Sequence, residues 1–240
     1  MTHRFIAFSC VAALACAPSE PPRDPPEGAS APVSESPAAT STNGPRVVFL
    51  GTSLTAGLGL LRAEDTYVAR LAELADSADL PMDAVNAGVS GDTSAGGLRR
   101  LDWILREPLD VLVVELGAND GLRGQDPAAT RENLEAIVSR TRDRYPEAAV
   151  VIAGMEAPTN LGEAYTRRFR SVFPEVARES GAALVPFILD GVAGIAELNQ
   201  ADGIHPTPEG HRIMARNVWP TLAPLLRAWW ARHPNGRDKT

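Results

Sequence analysis

From position 46 onward, short apolar runs alternate with segments whose apolar residues recur every three or four positions. The runs at residues 46–50, 82–87, 111–116, 150–155 and 183–187 are short and rich in Val, Ile, Leu and Ala, and they read as buried strands. Between them, Val68, Leu71, Ala72 and Ala75 share one helical face, as do Leu98, Leu101 and Leu105. Leu134, Ile137, Val138 and Thr141 form a third face behind Asp126-Pro127, a cap followed by a first-turn proline. Phe169, Val172, Phe173 and Val176 mark a fourth. A last helical stretch starts near Pro208 and passes Met214; Pro220 and Pro224 are expected to break or kink it, and Trp219, Trp229 and Trp230 to pack on the core or the tail. This alternation predicts an α/β fold with a five-stranded parallel sheet covered on both faces. It makes one domain over residues 46–230, followed by a frayed tail at 231–240. The first strand ends at Gly51, and the next helix is expected after Gly57 and Gly59. Ser53 therefore falls just past a strand's carboxyl end, the edge where open α/β sheets bind ligands.

The first 45 residues break the pattern. His3 and Arg4 precede an apolar run that is too short to span a membrane, so residues 1–16 read as a secretory signal. Ala13-Leu14-Ala15-Cys16 resembles a bacterial lipoprotein processing site, which would make Cys16 the lipidated first residue. Ordinary cleavage after Ala15 or Ala17 is the simpler alternative. Residues 17–45 are rich in Pro, Ser, Ala and Glu, with little to bury, and read as a disordered tether. The expected address is extracytoplasmic: the periplasm, a membrane-anchored lipoprotein, or the secreted fraction.

Composition narrows the function. The 240-residue chain is 44% hydrophobic and carries a net charge of −7 without a basic cluster, which argues against nucleic acid as a partner. Both cysteines, Cys10 and Cys16, lie in the leader, so the domain has no disulfide, thiol nucleophile or cysteine zinc site. Of four histidines, only His205 and His211 lie well inside the domain, too few for a histidine-rich metal site.

Three polar clusters follow other strands or the last loop. They are Asn86-Ala-Gly88-Val-Ser90-Gly91-Asp92-Thr-Ser94, Leu116-Gly-Ala-Asn119-Asp120-Gly121 and Asp202-Gly-Ile-His205-Pro206. Parallel strands would bring them to the edge that carries Ser53. Asp202 is three residues before His205, close enough to hold the imidazole Nδ1–H and leave Nε2 to take a proton from Ser53. Gly91 offers a backbone N–H that a substrate can approach, Asn119 a neutral side-chain amide. Each taken alone is equally a turn residue. His211 has no carboxylate three residues earlier and reads as a solvated first-turn residue.

These blocks resemble the SGNH (GDSL-type) hydrolase family, most closely the bacterial thioesterase I / protease I / lysophospholipase L1 (arylesterase) group. The matching blocks are Gly51-Thr-Ser53-Leu, Ser90-Gly91-Asp-Thr-Ser94, Leu116-Gly-Ala-Asn119-Asp-Gly-Leu-Arg-Gly124 and Asp202-Gly-Ile-His205-Pro, within a similarity spanning about residues 46–228. The resemblance implies a flavodoxin-like three-layer α/β/α fold with Ser53 as nucleophile, His205 as base and Asp202 as its orienter. It implies an oxyanion hole from the Ser53 N–H, the Gly91 N–H and the Asn119 amide, with neither metal nor cofactor. Asp120, Met155, Ala157 and Pro158 are the expected substrate contacts. Thr52 stands where the family usually has aspartate, which leaves open how the nucleophile loop is braced.

The expected activity is hydrolysis of acyl esters or thioesters (aryl, short to medium alkyl, lysophospholipid) through an acyl-enzyme, by a monomer acting on small-molecule substrates. A carbohydrate or peptidoglycan O-acetylesterase is the alternative, and a non-catalytic lipid-binding module a remote one, since no member of the catalytic set is missing. A phosphate or nucleotide binder would need a glycine-rich fingerprint that Gly51-Thr-Ser-Leu does not supply.

Overall fold

The computed structural model describes residues 44–234. The leader, Cys16, all but the last two residues of the tether, and residues 235–240 lie outside them. Five strands form one parallel sheet: Arg46–Gly51 (β1), Asp83–Gly88 (β2), Val111–Glu115 (β3), Ala149–Ala153 (β4) and Ala183–Val185 (β5). Their order, β2-β1-β3-β4-β5, is the flavodoxin-like one. Among the described residues, seven α-helices accompany them: Ser53–Ala56 (α1), Tyr67–Ser77 (α2), Ser94–Ile104 (α3), Ala118–Leu122 (α4), Pro127–Arg144 (α5), Glu163–Ser180 (α6) and Pro208–Arg232 (α7).

The step from β1 to β2 runs one way along the sheet, and the later steps run the other way. Right-handed crossovers then place α2 on one face and α3, α5 and α6 on the opposite face. The packing agrees: α3, α5 and α6 contact one another in series, while α7 lies along α2. Residues Val47 to Leu50 and the whole of β3 are buried, which is why these segments read as unbroken apolar runs rather than alternating ones. Each fully buried Leu, Ile or Phe here contributes roughly 1.5–3 kcal/mol relative to exposure.

The four expected helical faces are the ones that pack inward. Leu134, Ile137, Val138 and Thr141 are buried on α5, and Phe169, Val172, Phe173 and Val176 on α6. The strand limits shift by a residue or two from the sequence expectation; the last strand stops two residues early, where Pro186 lacks the N–H needed to extend the β5 ladder.

Three expectations need correction. First, a helix opens directly at Ser53 instead of after Gly59, because Thr52 caps it and Gly57, at φ +75°, ends it after one turn. Second, α7 runs continuously through Pro220 and Pro224 to Arg232, so the tail begins later than residue 231. Its buried stripe of Met214, Val218, Leu222 and Leu226 outweighs the backbone hydrogen bonds the prolines cannot make. Third, order begins before residue 46, since the Pro45 carbonyl accepts the Asp83 N–H at 3.0 Å.

The helix that follows β1 and the helices that follow β3 lie on opposite faces, so the sheet's topological switch point falls between these two neighbouring strands. Their carboxyl ends lead into Ser53 and Asn119 respectively.

Candidate active site

Ser53 is the first residue of α1 and is nine-tenths buried. Its position at a helix start leaves its N–H without an intrahelical partner. Its Oγ is 3.0 Å from His205 Nε2, and His205 Nδ1 is 2.6 Å from Asp202 Oδ2. The other Asp202 oxygen accepts the N–H groups of Ile204 and His205, both at 3.0 Å. The His205 hydrogen bond first, then these two backbone donors, hold the Asp202 carboxyl well below the usual range, at about 2. An ionised Asp202 can only accept, so Nδ1 carries the proton and Nε2 is left with a lone pair facing the Ser53 hydroxyl.

Gly91 and Asn119 come from two further loops on the same edge. Gly91 sits at φ +83°, a conformation that side chains rarely adopt, although a Cβ there would meet only the Arg123 guanidinium at 3.9 Å, an ordinary contact. The need for glycine is therefore conformational. Asn119 donates one amide N–H to the Asp92 carbonyl at 2.8 Å, which fixes the amide and leaves its second N–H available. Arg100 ties the same region together, pairing with Asp92 and donating to the Gly51 carbonyl at the end of β1.

These groups share a cleft of about 600 Å³. Its polar side carries Ser53, Gly91, Asn119 and His205; its apolar walls include Leu54, Leu58, Leu122, Met155, Ala157, Pro158, Phe187 and Ile204. Of the four expected substrate contacts, Met155, Ala157 and Pro158 line this cleft. Asp120 does not. It is fully buried, accepting the Ser94 N–H and hydroxyl and the Thr130 hydroxyl, and it braces the start of α3 against α4 and α5. A fully buried carboxyl group is held in the core only by such donors, so its place is behind the site.

His211 is also corrected. It is buried, its Nδ1 accepts the Tyr67 N–H at 3.2 Å, and its ring stacks on Tyr67. Burial, the first cause, pushes its pKa down to about 4, so it is neutral.

Sequence reasoning missed Glu115, Thr55 and Gln200. Glu115 is a fully buried carboxylate on β3 that accepts hydrogen bonds from Thr52 and Thr55. Burial pushes it up to about 6, against the pull of those donors. The signal was present: one glutamate at the end of Val-Leu-Val-Val is a charge in a strand with no wet face. Gln200 donates to the carbonyls of Leu58 and Pro206, stapling the histidine loop to the segment after α1.

With this geometry in view, residues 49–213 match the GDSL-like lipase/acylhydrolase family. The chain belongs to that family. Esterase TesA of Pseudomonas aeruginosa is 43% identical over 181 residues, covering 75% of this chain and 89% of the relative. The thioesterase 1/protease 1/lysophospholipase L1 of Escherichia coli K12 is 35% identical over 182 residues, covering 75% and 84%. Among solved structures, the crystal structure of TesA superposes with a TM-score of 0.71 at 41% identity, covering 75% of this chain and 99% of that one. The psychrotrophic esterase EstA from Pseudoalteromonas, in a structure inhibited by monoethylphosphonate, gives a TM-score of 0.70 at 31% identity, covering 76% and 98%.

Proposed function

We propose that the protein is a serine ester hydrolase that cleaves acyl esters and thioesters through an acyl-enzyme. The observation that carries this reading is the unbroken Asp202–His205–Ser53 hydrogen-bond chain on the rim of an apolar cleft. In the first half-reaction Ser53 Oγ attacks the acyl carbon while its proton passes to His205 Nε2. The carbonyl oxygen becomes an oxyanion, received by the N–H groups of Ser53, Gly91 and Asn119. The bond to the leaving oxygen or sulfur then breaks, and His205 returns the proton to it. Water repeats the sequence in reverse roles, giving the free acid and restoring Ser53. Asp202 keeps its charge throughout and holds the imidazole in one tautomer.

The walls formed by Met155, Ala157, Pro158 and Leu122 suit an acyl chain better than a sugar, which favours lipid-like or aryl esters over carbohydrate acetates. The inhibition of the EstA relative by a phosphonate supports serine chemistry in this family. The reading extends to location: an extracytoplasmic enzyme lipidated at Cys16, with residues 17–45 as a spacer that catalysis does not need. A chain starting near Asn43 is expected to keep full turnover. Palmitate labelling of the full chain, lost in Cys16→Ser, tests the anchor.

The central test pairs Ser53→Ala with a fluorophosphonate probe and a panel of p-nitrophenyl esters from acetyl to palmitoyl, acyl thioesters and acetylated xylan. The parent is expected to label and to turn over the acyl esters. The variant should do neither while melting at the parental temperature. Labelling that survives in Ser53→Ala would remove Ser53 as the nucleophile, and turnover confined to acetylated xylan would move the substrate class.

A further inference from the structure

The residues on either side of the Ser53-Leu54 pair both reach back to one buried carboxylate. Thr52 donates its N–H to Glu115 Oε2 at 2.9 Å and its hydroxyl to Oε1 and Oε2 at 3.0 and 3.1 Å. Thr55 donates its N–H at 3.2 Å and its hydroxyl at 2.7 Å, both to Oε2. Each threonine thus supplies two donors, and all of them point inward. The hydroxyls are committed in direction. Thr52 Oγ1 gives its hydrogen to Glu115 and accepts the Leu54 N–H at 3.4 Å. Thr55 Oγ1 gives its hydrogen to Glu115, so the Tyr67 hydroxyl 2.8 Å away must donate to it. The network closes on an acceptor-only anion, with Thr52, Thr55, Tyr67 and Glu115 all essentially inaccessible to solvent. The approach is close: a Cβ at Gly51 would lie 2.6 Å from Glu115 Oε2.

We propose that Glu115 is a positioning residue for the nucleophile: by clamping Thr52 and Thr55 from below, its carboxylate fixes the one-turn helix that aims Ser53 Oγ at His205 and the Ser53 N–H at the cleft. A four-residue helix cannot hold itself together in water; this one is anchored from β3 through Glu115 at both threonines, with Asn86 Nδ2 on the Thr55 carbonyl at 2.6 Å as a second tie from β2. The site needs that rigidity because the Ser53 Oγ and its own N–H act on the same substrate carbonyl, so a tilt of the turn misplaces both at once. The threonine at position 52 is the neutral partner such an anchor calls for. An acid there would place two carboxylates against each other in a dry site, and one would have to take up a proton. This proposal rests on Ser53 being the nucleophile, and Glu115 touches no substrate itself.

The test uses the full chain and two sets of variants. Glu115→Gln keeps the shape but turns a donor toward donors. Thr52→Val removes one hydroxyl at constant volume, while Thr52→Ser retains it. For Glu115→Gln and Thr52→Val, the expected result is a loss in kcat on the order of 10- to 100-fold at nearly parental KM, with an equal slowing of fluorophosphonate labelling per folded molecule. Thr52→Ser should return most of the loss. If Glu115→Gln fails to fold, the Thr52 pair decides alone. Folded variants with lower melting temperature but parental kcat and labelling rate would overturn the proposal and leave Glu115 a stabilising residue only. The Ser53→Ala experiment is separate: labelling that persists there refutes the nucleophile assignment, whatever Glu115 does.

Discussion

The two halves of the catalytic constellation are built on opposite terms. On one side, residues Thr52 to Thr55 are buried, follow directly from a central strand, and are clamped to Glu115. On the other, Asp202 and His205 sit on a loop whose residues Ala201 to Ile204 are exposed. The Asp202 side chain keeps 46% of its surface. That loop belongs to no strand or helix. It is held by its own turn, with the Gln200 N–H on the His205 carbonyl at 2.7 Å, and by amide staples from Asn199 and Gln200 to neighbouring carbonyls. The contrast follows from what each half does. The nucleophile must meet the substrate carbon and supply an N–H to its oxygen, two demands that leave no angular freedom. The base needs only to swing a proton between Oγ and a leaving group, and its carboxylate partner lies in the same loop and moves with it.

The largest effect expected from breaking this arrangement is at His205. His205→Ala should lower kcat by at least about 10⁴-fold, whereas His211→Gln, on a histidine that faces Tyr67 instead of the cleft, should leave kcat near the parental value. Rates measured on both variants at saturating substrate decide the point; a large loss at His211 with a small one at His205 would exchange their roles.

Next is Asn119, whose amide is fixed on the Asp92 carbonyl. Asn119→Ala should cost about 10²–10³ in kcat with a smaller change in KM, because a donor aimed at developing charge acts mainly in the transition state. A variant that melts earlier but turns over at the parental rate would make Asn119 a turn residue alone.

The exposed half is sharpened by Gln200→Ala. Losing the two carbonyl staples should free the loop, with kcat falling on the order of tenfold and stability by about 0.5–1.5 kcal/mol per hydrogen bond lost. Hydrogen exchange should quicken over residues 199–206 and stay unchanged over residues 46–55. Equal protection in both segments would mean the loop is as firmly built as the strand turn.

The same contrast explains what was legible in the sequence. The sheet, its helices and the cluster of Ser53, Gly91, Asn119, Asp202 and His205 at one edge could be read because each depends on local pattern: apolar period, glycine, or an acid three residues before a histidine. Asp120 and His211 could not be read correctly, since their roles depend on burial, which arises only when distant segments pack; Glu115 left a trace as a charge closing an apolar strand, but its partners come from another strand's end. Asp120 looks like a cleft residue beside Asn119 until Ser94 and Thr130 enclose it. His211 looks like a wet first-turn residue until Tyr67 covers it. The continuity of α7 through two prolines is likewise a tertiary outcome, since its buried stripe overrides the local preference.

The smallest expected effect is in the acid response of stability, where the buried half contains two groups of opposite sign. His211 is depressed to about 4 from its usual 6.5, so it contributes stability that is complete above pH 6.5 and is lost as pH falls toward 4. Glu115 is raised to about 6 from 4.5, so its ionisation costs stability as pH rises through that window, and acidification from 6 to 4.5 restores it. At 1.36 kcal/mol per unit, the first is worth about 3 kcal/mol and the second about 2. The net loss between pH 6.5 and 4 should therefore be only about 1 kcal/mol. Asp202 adds nothing in this range, because its carboxyl titrates near 2 on the exposed loop. His211→Gln can still accept the Tyr67 N–H through its amide oxygen but cannot take up a proton. Its melting temperature should hold or rise as pH drops from 6.5 to 4.5, where the parent's declines. Parallel melting curves for parent and variant across that range would show that His211 does not carry the response.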